Sequence, residues 1–437
     1  MRVLLWFWSA LWTMGLPLGL IYLWKRARKD PAYITDLAER FGRYPAPLPG
    51  AVWVHAVSLG ELRSAVPLIR ALLERGESVV TTHFTPAGRH EAEQVFAADI
   101  AAGRMRVVWV PIETAWAYRG FFHAFRPVYG LVMEVEIWPR MIFAARAAGI
   151  PLFMCNAQYH SRAFKRDSAG LRVRQAVMRG FSGAMVKSDL QAQRFGSVGV
   201  KNIVVTGELR FDQPVPAHHI AAGRAARSWL GANKRRVITI ASAIEGEDPT
   251  YIHAIHALRA DHATREQPAP LFIYVPRRPE RFHEVSQLLR AEGFSVLNRS
   301  SLWPSLDAAT WAVAPDCPDI LFGDSLGEMY FYLAMADQAI VGGGFNPKGA
   351  HNISEPLVME LPVITGPYTH TIEYPFVEAE TAGIARSVPD ASGLAEALIN
   401  NVPPDAKQIA SFVGTHSEAT RKTLDAIQRL VTAVKPF

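Results

Sequence analysis

Val52-Trp-Val-His-Ala-Val-Ser-Leu-Gly-Glu61 reads as a buried strand, Ala51 to Ala56, that turns through Ser-Leu-Gly into a helix. The helix is expected to open at Glu61 and to run through Leu62-Arg-Ser-Ala-Val-Pro-Leu-Ile-Arg-Ala-Leu-Leu-Glu-Arg75. A strand feeding directly into such a helix is the unit of a parallel sheet wrapped by helices. Open α/β sheets bind ligands in crevices outside the carboxyl ends of their strands. Glu61 stands at such an end, where a carboxylate can serve as a general base. The competing reading is that Glu61 only complements the helix dipole.

Outward from this stretch the same alternation continues. Strands are expected near 51–56, 78–83, 106–110, 128–133, 151–155, 183–187 and 202–206, with helical patterns between most of them. Phe211-Asp-Gln-Pro-Val-Pro216 reads as a linker. A second alternation follows, with strands near 236–241, 271–275, 294–297, 319–322, 338–342 and 362–364. A chain of 437 residues is too long for one ordinary domain. The expected fold class is therefore α/β, with two Rossmann-like domains facing a central cleft. The divisions are 1–30 for a membrane anchor and basic flank, 31–213 for the first domain and 214–437 for the second. A last helix, about 405–434, is expected to be able to cross back onto the first domain.

Residues 3–24 carry no charge and are rich in Trp, and Lys25-Arg-Ala-Arg28-Lys29 follows at once. At about 1.5 Å per residue this run can just span a bilayer core. The excess of positive charge on its C-terminal side assigns the body of the protein to the cytoplasm. A cleaved signal peptide is disfavoured, because the basic cluster lies on the wrong side. Gly15, Pro17 and Gly19 interrupt the run, so an anchor lying in the interface is the alternative to a span. The formal charge of +6 suits an anionic membrane surface or a nucleotide. No basic block of nucleic-acid type occurs outside the N-terminus. Cys155 and Cys317 read as reduced thiols, and no cysteine or histidine spacing argues for a metal.

Several other strand ends carry polar residues. Met133-Glu134-Val-Glu136-Ile-Trp-Pro139 places two carboxylates two residues apart, on one face if the strand continues. Arg210, in Gly207-Glu-Leu-Arg-Phe-Asp212, ends the last first-half strand beside the linker. Arg277 and Arg278 follow Val275-Pro276 and suit a phosphate or carboxylate, whereas Arg281 reads as an ordinary surface charge. Gly323-Asp-Ser-Leu326-Gly327-Glu328 opens a helix. Gly342-Gly-Gly-Phe-Asn-Pro-Lys-Gly-Ala-His351-Asn352-Ile353-Ser354-Glu355 reads as a loop whose N–H groups approach a phosphate, with Asn352 capping the next helix and Glu355 meeting ribose hydroxyls. His55, inside an apolar strand, reads as a hydrogen-bonded core residue.

In combination these motifs resemble those of the bacterial 3-deoxy-D-manno-octulosonic acid (Kdo) transferases, glycosyltransferases of GT-B fold associated with the inner membrane. The resemblance runs over nearly the whole chain, from Glu39-Arg-Phe-Gly42 to the second domain. It rests on His55-Ala-Val-Ser-Leu-Gly-Glu61, Met133–Pro139, Gly207–Asp212, Val275-Pro-Arg277, Gly323–Glu328 and His351-Asn-Ile-Ser-Glu355-Pro. It implies that Glu61 is the general base toward a hydroxyl of a lipid A precursor, and that Glu134 and Arg210 steady charge in the transition state. It implies that Pro276, Arg277, Leu326, Gly327, Glu328 and Asn352 to Glu355 (Ile353 and Ser354 included) hold the CMP part of a CMP-Kdo donor. It implies inversion at the anomeric centre, no cofactor and no metal in the site, and a place on the cytoplasmic side of the inner membrane.

The chain departs from the family pattern at four places. Arg210 stands where Lys is usual, Gln158 where Arg is usual, Ser242-Ala243-Ile244 where a Thr-Ser-x-His-type turn is usual, and Ala350 where glycine is usual. Rival readings are a GT-B transferase with another CMP-linked ulosonic acid or another acceptor, a nucleotide-sugar epimerase, and a tethered binding protein without catalysis.

Overall fold

The computed structural model describes residues 2–303, 305–311, 316–400, 402 and 404–433. The chain forms two units, Met1–Gln213 with Ser417–Phe437, and Pro214–His416. The first is built on seven parallel strands: β1 (Val52–His55), β2 (Val79–His83), β3 (Met105–Trp109), β4 (Gly130–Met133), β5 (Leu152–Ala157), β6 (Gly183–Val186) and β7 (Ile203–Val205). Their order is β3-β2-β1-β4-β5-β6-β7. The winding reverses between β1 and β4, so the loops after these strands border the crevice where such sheets bind ligands. Alternate residues of β1 enter opposite cores. Val52 and Val54 pack with Leu62, Leu68 and Leu72, while Ala51 and Trp53 pack with Tyr118 and Phe121.

The second unit repeats the design with β8 (Val237–Ala243), β9 (Leu271–Pro276), β10 (Val296–Asn298), β11 (Ile320–Phe322), β12 (Gln338–Val341), β13 (Val363–Thr365) and β14 (Ala385–Ser387). The order β10-β11-β9-β8-β12-β13-β14 is again parallel, and its winding reverses between β8 and β12. Thirteen of these strands coincide with the apolar runs of the sequence. β14 does not: it is a three-residue edge strand with two exposed positions.

Three expectations need correction. The helix after β1 runs Leu59–Glu74 and is capped by Ser58, so Glu61 is its third residue and not its first. The last helix is two, Ala406–His416 and Ala419–Ala433, and residue 434 lies outside the described residues. The break has a tertiary cause. The Asp212 carboxylate accepts the N–H groups of Glu418 (2.8 Å) and Thr420 (2.5 Å), which starts a new helix on the first unit. Leu424, Ile427 and Leu430 of that helix join the core of the first sheet. The second unit therefore ends at His416 rather than 437. At the N-terminus a helix spans Arg2–Ala27, and Leu5–Ala27 is long and apolar enough to cross a membrane.

Candidate active site

In the first unit, the polar residues gather at the reversal between β1 and β4. Glu61 is held by a reciprocal cap: its N–H donates to Ser58 Oγ (3.3 Å), while Ser58 Oγ–H donates to Glu61 Oε1 (2.9 Å). Val57 N–H donates to Oε2 at 2.8 Å. Both oxygens are thus fixed, and the side chain is nearly buried. Burial, reinforced by the negative charges of Glu134 and Glu136, pushes its pKa up to about 8. Simple dipole complementation at an exposed helix end leaves this elevation without a cause. The carboxyl is poised near neutral pH, as a general base requires.

β4 stops at Met133, and Glu134 adopts a left-handed backbone with φ of 55°. A non-glycine residue there is strained, and such strain collects at functional sites. The strand therefore does not continue, and the two carboxylates do not share a strand face as the spacing suggested. Glu134 Oε1 meets Arg210 Nη2 at 3.2 Å. Glu136 accepts the Trp138 indole N–H at 2.6 Å, and burial raises its pKa. Neither caps the helix Pro139–Ala147. Glu113 does so from the loop after β3, accepting the N–H groups of Arg140 (2.9 Å) and Met141 (3.0 Å).

Arg210 is positioned by residues the sequence reading passed over. Glu208 is fully buried and bridged to Lys187 at 2.6 Å. Burial alone would raise its pKa, but Lys187 and then Arg210 pull it down to about 2. Asn156, at φ 54°, donates to Glu208 and accepts the N–H of Leu209. The signal was present in Asn156-Ala-Gln158 and Gly207-Glu208, two polar pairs at strand ends. Gln158 is buried, with its amide 3.1 Å from the His160 ring. His55 is buried with Nδ1 2.8 Å from Thr82 Oγ1, a core residue as expected, and burial holds its pKa down at about 3.

In the second unit, a cavity of about 670 Å³ is lined by Arg277, Arg278, Lys348 and His351, and also by Glu245, Glu280 and Glu284. Pro276 is the last residue of β9 and pairs with Ala243, so Arg277 leaves the sheet edge directly into this cavity. Its N–H donates to Ala243 O at 2.9 Å. The Arg277 guanidinium donates to His351 Nδ1. That bond makes Nε2 the protonated nitrogen, and Nε2 is buried with no partner. Burial and then Arg277 lower the His351 pKa to about 4. A neutral imidazole N–H beside two arginines and a lysine suits an anion.

The glycine run is closely packed, and two of its loop's N–H groups already have a partner. Glu247, buried in the loop after β8, accepts N–H groups of Gly343 (2.8 Å), Phe345 (2.9 Å) and Ile244 (3.2 Å), and the Tyr251 hydroxyl. Gly343 and Phe345 N–H are therefore committed to a carboxylate rather than open to a phosphate. The glycines serve close packing: a Cβ on Gly342 would lie 2.4 Å from Ser242 O, and one on Gly344 2.2 Å from Thr365 Oγ1. Asn352 Oδ1 accepts the Ser354 N–H at 2.9 Å, but the N-cap of the helix Ser354–Val358 is buried Ile353 and not Asn352 as expected; Glu355 lies in the first turn. Glu328 forms a two-pronged pair with Arg299, both contacts at 2.8 Å, beyond exposed Leu326 and Gly327 at φ 78°. Arg281 is not the surface charge expected of it: it is buried and pairs with buried Asp248 at 2.5 Å.

Two doubly wound parallel units, each with charged loops at its reversal point, define the GT-B class of enzyme. The UDP-GlcNAc 2-epimerase from Neisseria meningitidis, solved with UDP-GlcNAc, shares this fold with a TM-score of 0.56 at 13% identity, over 87% of this chain and all of its own. A family profile described as 3-Deoxy-D-manno-octulosonic-acid transferase (kdotransferase) matches residues 35–213. A 3-deoxy-D-manno-octulosonic acid transferase of Bordetella pertussis is 39% identical over 424 residues, 94% of this chain and 96% of its own length. One from Haemophilus influenzae is 28% identical over 445 residues, covering 99% and 98%. The chain belongs to the 3-deoxy-D-manno-octulosonic acid (Kdo) transferase family and is a glycosyltransferase.

Proposed function

We propose that this protein transfers Kdo from CMP-Kdo to a lipid A precursor at the cytoplasmic face of the inner membrane, with inversion and with Glu61 as general base. The observation that carries the reading is the Glu61 carboxyl, fixed by its cap and raised to about 8 beside Glu134 and Glu136. Glu61 takes the proton of an acceptor hydroxyl. The hydroxyl oxygen forms the new bond to the anomeric carbon, and the bond to the CMP phosphate breaks with its electron pair on phosphate. Positive charge builds at the anomeric carbon, where carboxylates such as Glu134 stabilise it. Negative charge builds on the departing phosphate, where arginine suits it. In this reading Arg277, His351, Pro276 and the loops 326–328 and 352–355 hold the nucleotide, Arg210 balances charge, and no step needs a metal or a cofactor.

The test is incubation of the membrane-bound protein with CMP-Kdo and tetraacylated lipid A precursor, with products read by mass. Addition of one or more Kdo masses is expected, and their number counts the transfers. Binding of CMP-Kdo without product would redirect attention to the acceptor and to Gln158. Replacement of Arg277 by Ala should weaken CMP-Kdo binding at least tenfold, the loss of about one charge-assisted hydrogen bond. Unchanged affinity in a titration would remove Arg277 from the donor site.

A further inference from the structure

We infer that the N-terminal helix lies in the plane of the membrane surface, docked along the body of the first unit, and does not cross the bilayer. Its partner is the cytoplasmic leaflet of an anionic bilayer. From Leu5 to Leu23 the partly shielded positions of the helix are 5, 8, 9, 10, 12, 15, 16, 19 and 23, and all but Ala10 have the spacing of one helical face. That face covers about 27 Å of helix length, nearly the thickness of a hydrocarbon core. Protein lies against it throughout. Near its beginning, the Trp8 indole N–H donates to Glu113 Oε2 at 2.9 Å. Arg140 donates to Ser9 Oγ at 3.0 Å and to Leu5 O at 3.1 Å. Further along, Gly15, Gly19 and Leu23 face Phe41, Ile112 and Trp138 across a cavity of about 120 Å³.

These bonds decide the orientation. If the helix crossed the bilayer, Trp8 and Ser9 would stand at the far leaflet from Lys25. Glu113 and Arg140 would be carried there with them, together with the helix Pro139–Ala147 that Glu113 caps. Ionisable groups in hydrocarbon are strongly disfavoured. An in-plane helix keeps both in the folded body and needs only its outer side to be apolar. That side carries Trp6, Phe7, Met14, Leu18 and Ile21, all exposed. Lys25, Arg26, Arg28 and Lys29 follow it, also exposed, and complement anionic head groups.

The inference rests on the membrane reading above, and the experiment separates the two. Arg2→Cys and, in a second chain, Lys234→Cys as a marker of the cytoplasmic side are expressed and treated with a membrane-impermeant maleimide in intact spheroplasts and after permeabilisation. The expected result is membrane-bound protein in which both cysteines label only after permeabilisation. Labelling of Arg2→Cys in intact spheroplasts, with Lys234→Cys still protected, overturns the in-plane helix and leaves membrane attachment standing. Recovery of the chain in the soluble fraction overturns the membrane reading itself.

Discussion

Glu61 shows how one residue is tuned against stability. Its folded pKa is raised from the ordinary value of 4.5 to about 8. Between those values the native state holds a proton that the unfolded chain has released, so stability falls as pH rises across that window and is level above it. Glu61→Gln cannot ionise and escapes this loss. It should therefore gain at least about 1 kcal/mol over the parent at pH 9, seen as a Tm higher by some 2–4 °C, and gain nothing at pH 4. Turnover should move the other way, falling by about a hundredfold or more with CMP-Kdo binding retained. In the parent, kcat/KM should climb with pH and level off near 8, as the base loses its proton. A flat profile from pH 6 to 9, or a Gln variant with strong turnover, would sink the assignment. The place of Glu61 was legible in the sequence because the strand-turn-helix puts it at a strand end. Its elevated pKa was not, because its burial, and then the approach of Glu134 and Glu136, arise only through the fold.

At the scale of elements, two carboxylates hold loops in place that local sequence leaves undefined. Glu247 gathers three N–H groups from two loops, 244 and 343–345. Glu247→Ala would leave those donors unpaired, costing about 3 kcal/mol in urea-unfolding stability, and should weaken CMP-Kdo binding in a titration because the loop wall loosens. Asp212→Ala should cost about 1–2 kcal/mol, with faster amide exchange confined to residues 417–433, where its cap is lost. Uniformly faster exchange would mean that the cap does not act locally. The parallel strands were readable because each is a short apolar run bounded by turn residues. β14 was not readable, since Ala385-Arg-Ser387 has neither length nor apolar pattern. The apparent single helix of 405–434 was broken by a carboxylate some two hundred residues earlier in the chain, which no local pattern encodes. The glycine run was read for phosphate because glycine admits both explanations. Only the Glu247 contacts and the close approach to Thr365 and Ser242 choose between them.

On the scale of the whole molecule, the first unit gathers Glu61, Glu134 and Glu136 at the reversal of its sheet, and the second gathers Arg277, Arg278, Lys348 and His351, with Glu245, Glu280 and Glu284 among them, around the cavity beyond β8 and β9. In the proposed reaction a carboxylate takes the acceptor's proton and arginine meets the negative charge on the departing nucleotide. The proposed acceptor reaches the enzyme from a membrane, and here the basic run after the N-terminal helix becomes a quantitative matter. Lys25, Arg28 and Lys29 are exposed, and Arg28 stacks on Trp24 at 4.4 Å. Each positive residue near an anionic surface contributes about 1 kcal/mol of attraction. Replacing these three by Gln should weaken co-sedimentation with anionic vesicles about a hundredfold at low salt. The difference should shrink as added salt screens the surface charge, and it should be absent on neutral vesicles. Transfer to acceptor embedded in anionic vesicles should fall with binding, whereas transfer to detergent-dispersed acceptor should hardly change, because the substitutions leave the Glu61 and Arg277 loops untouched. Equal loss with both forms of acceptor would place these residues in substrate handling rather than in attraction to the membrane.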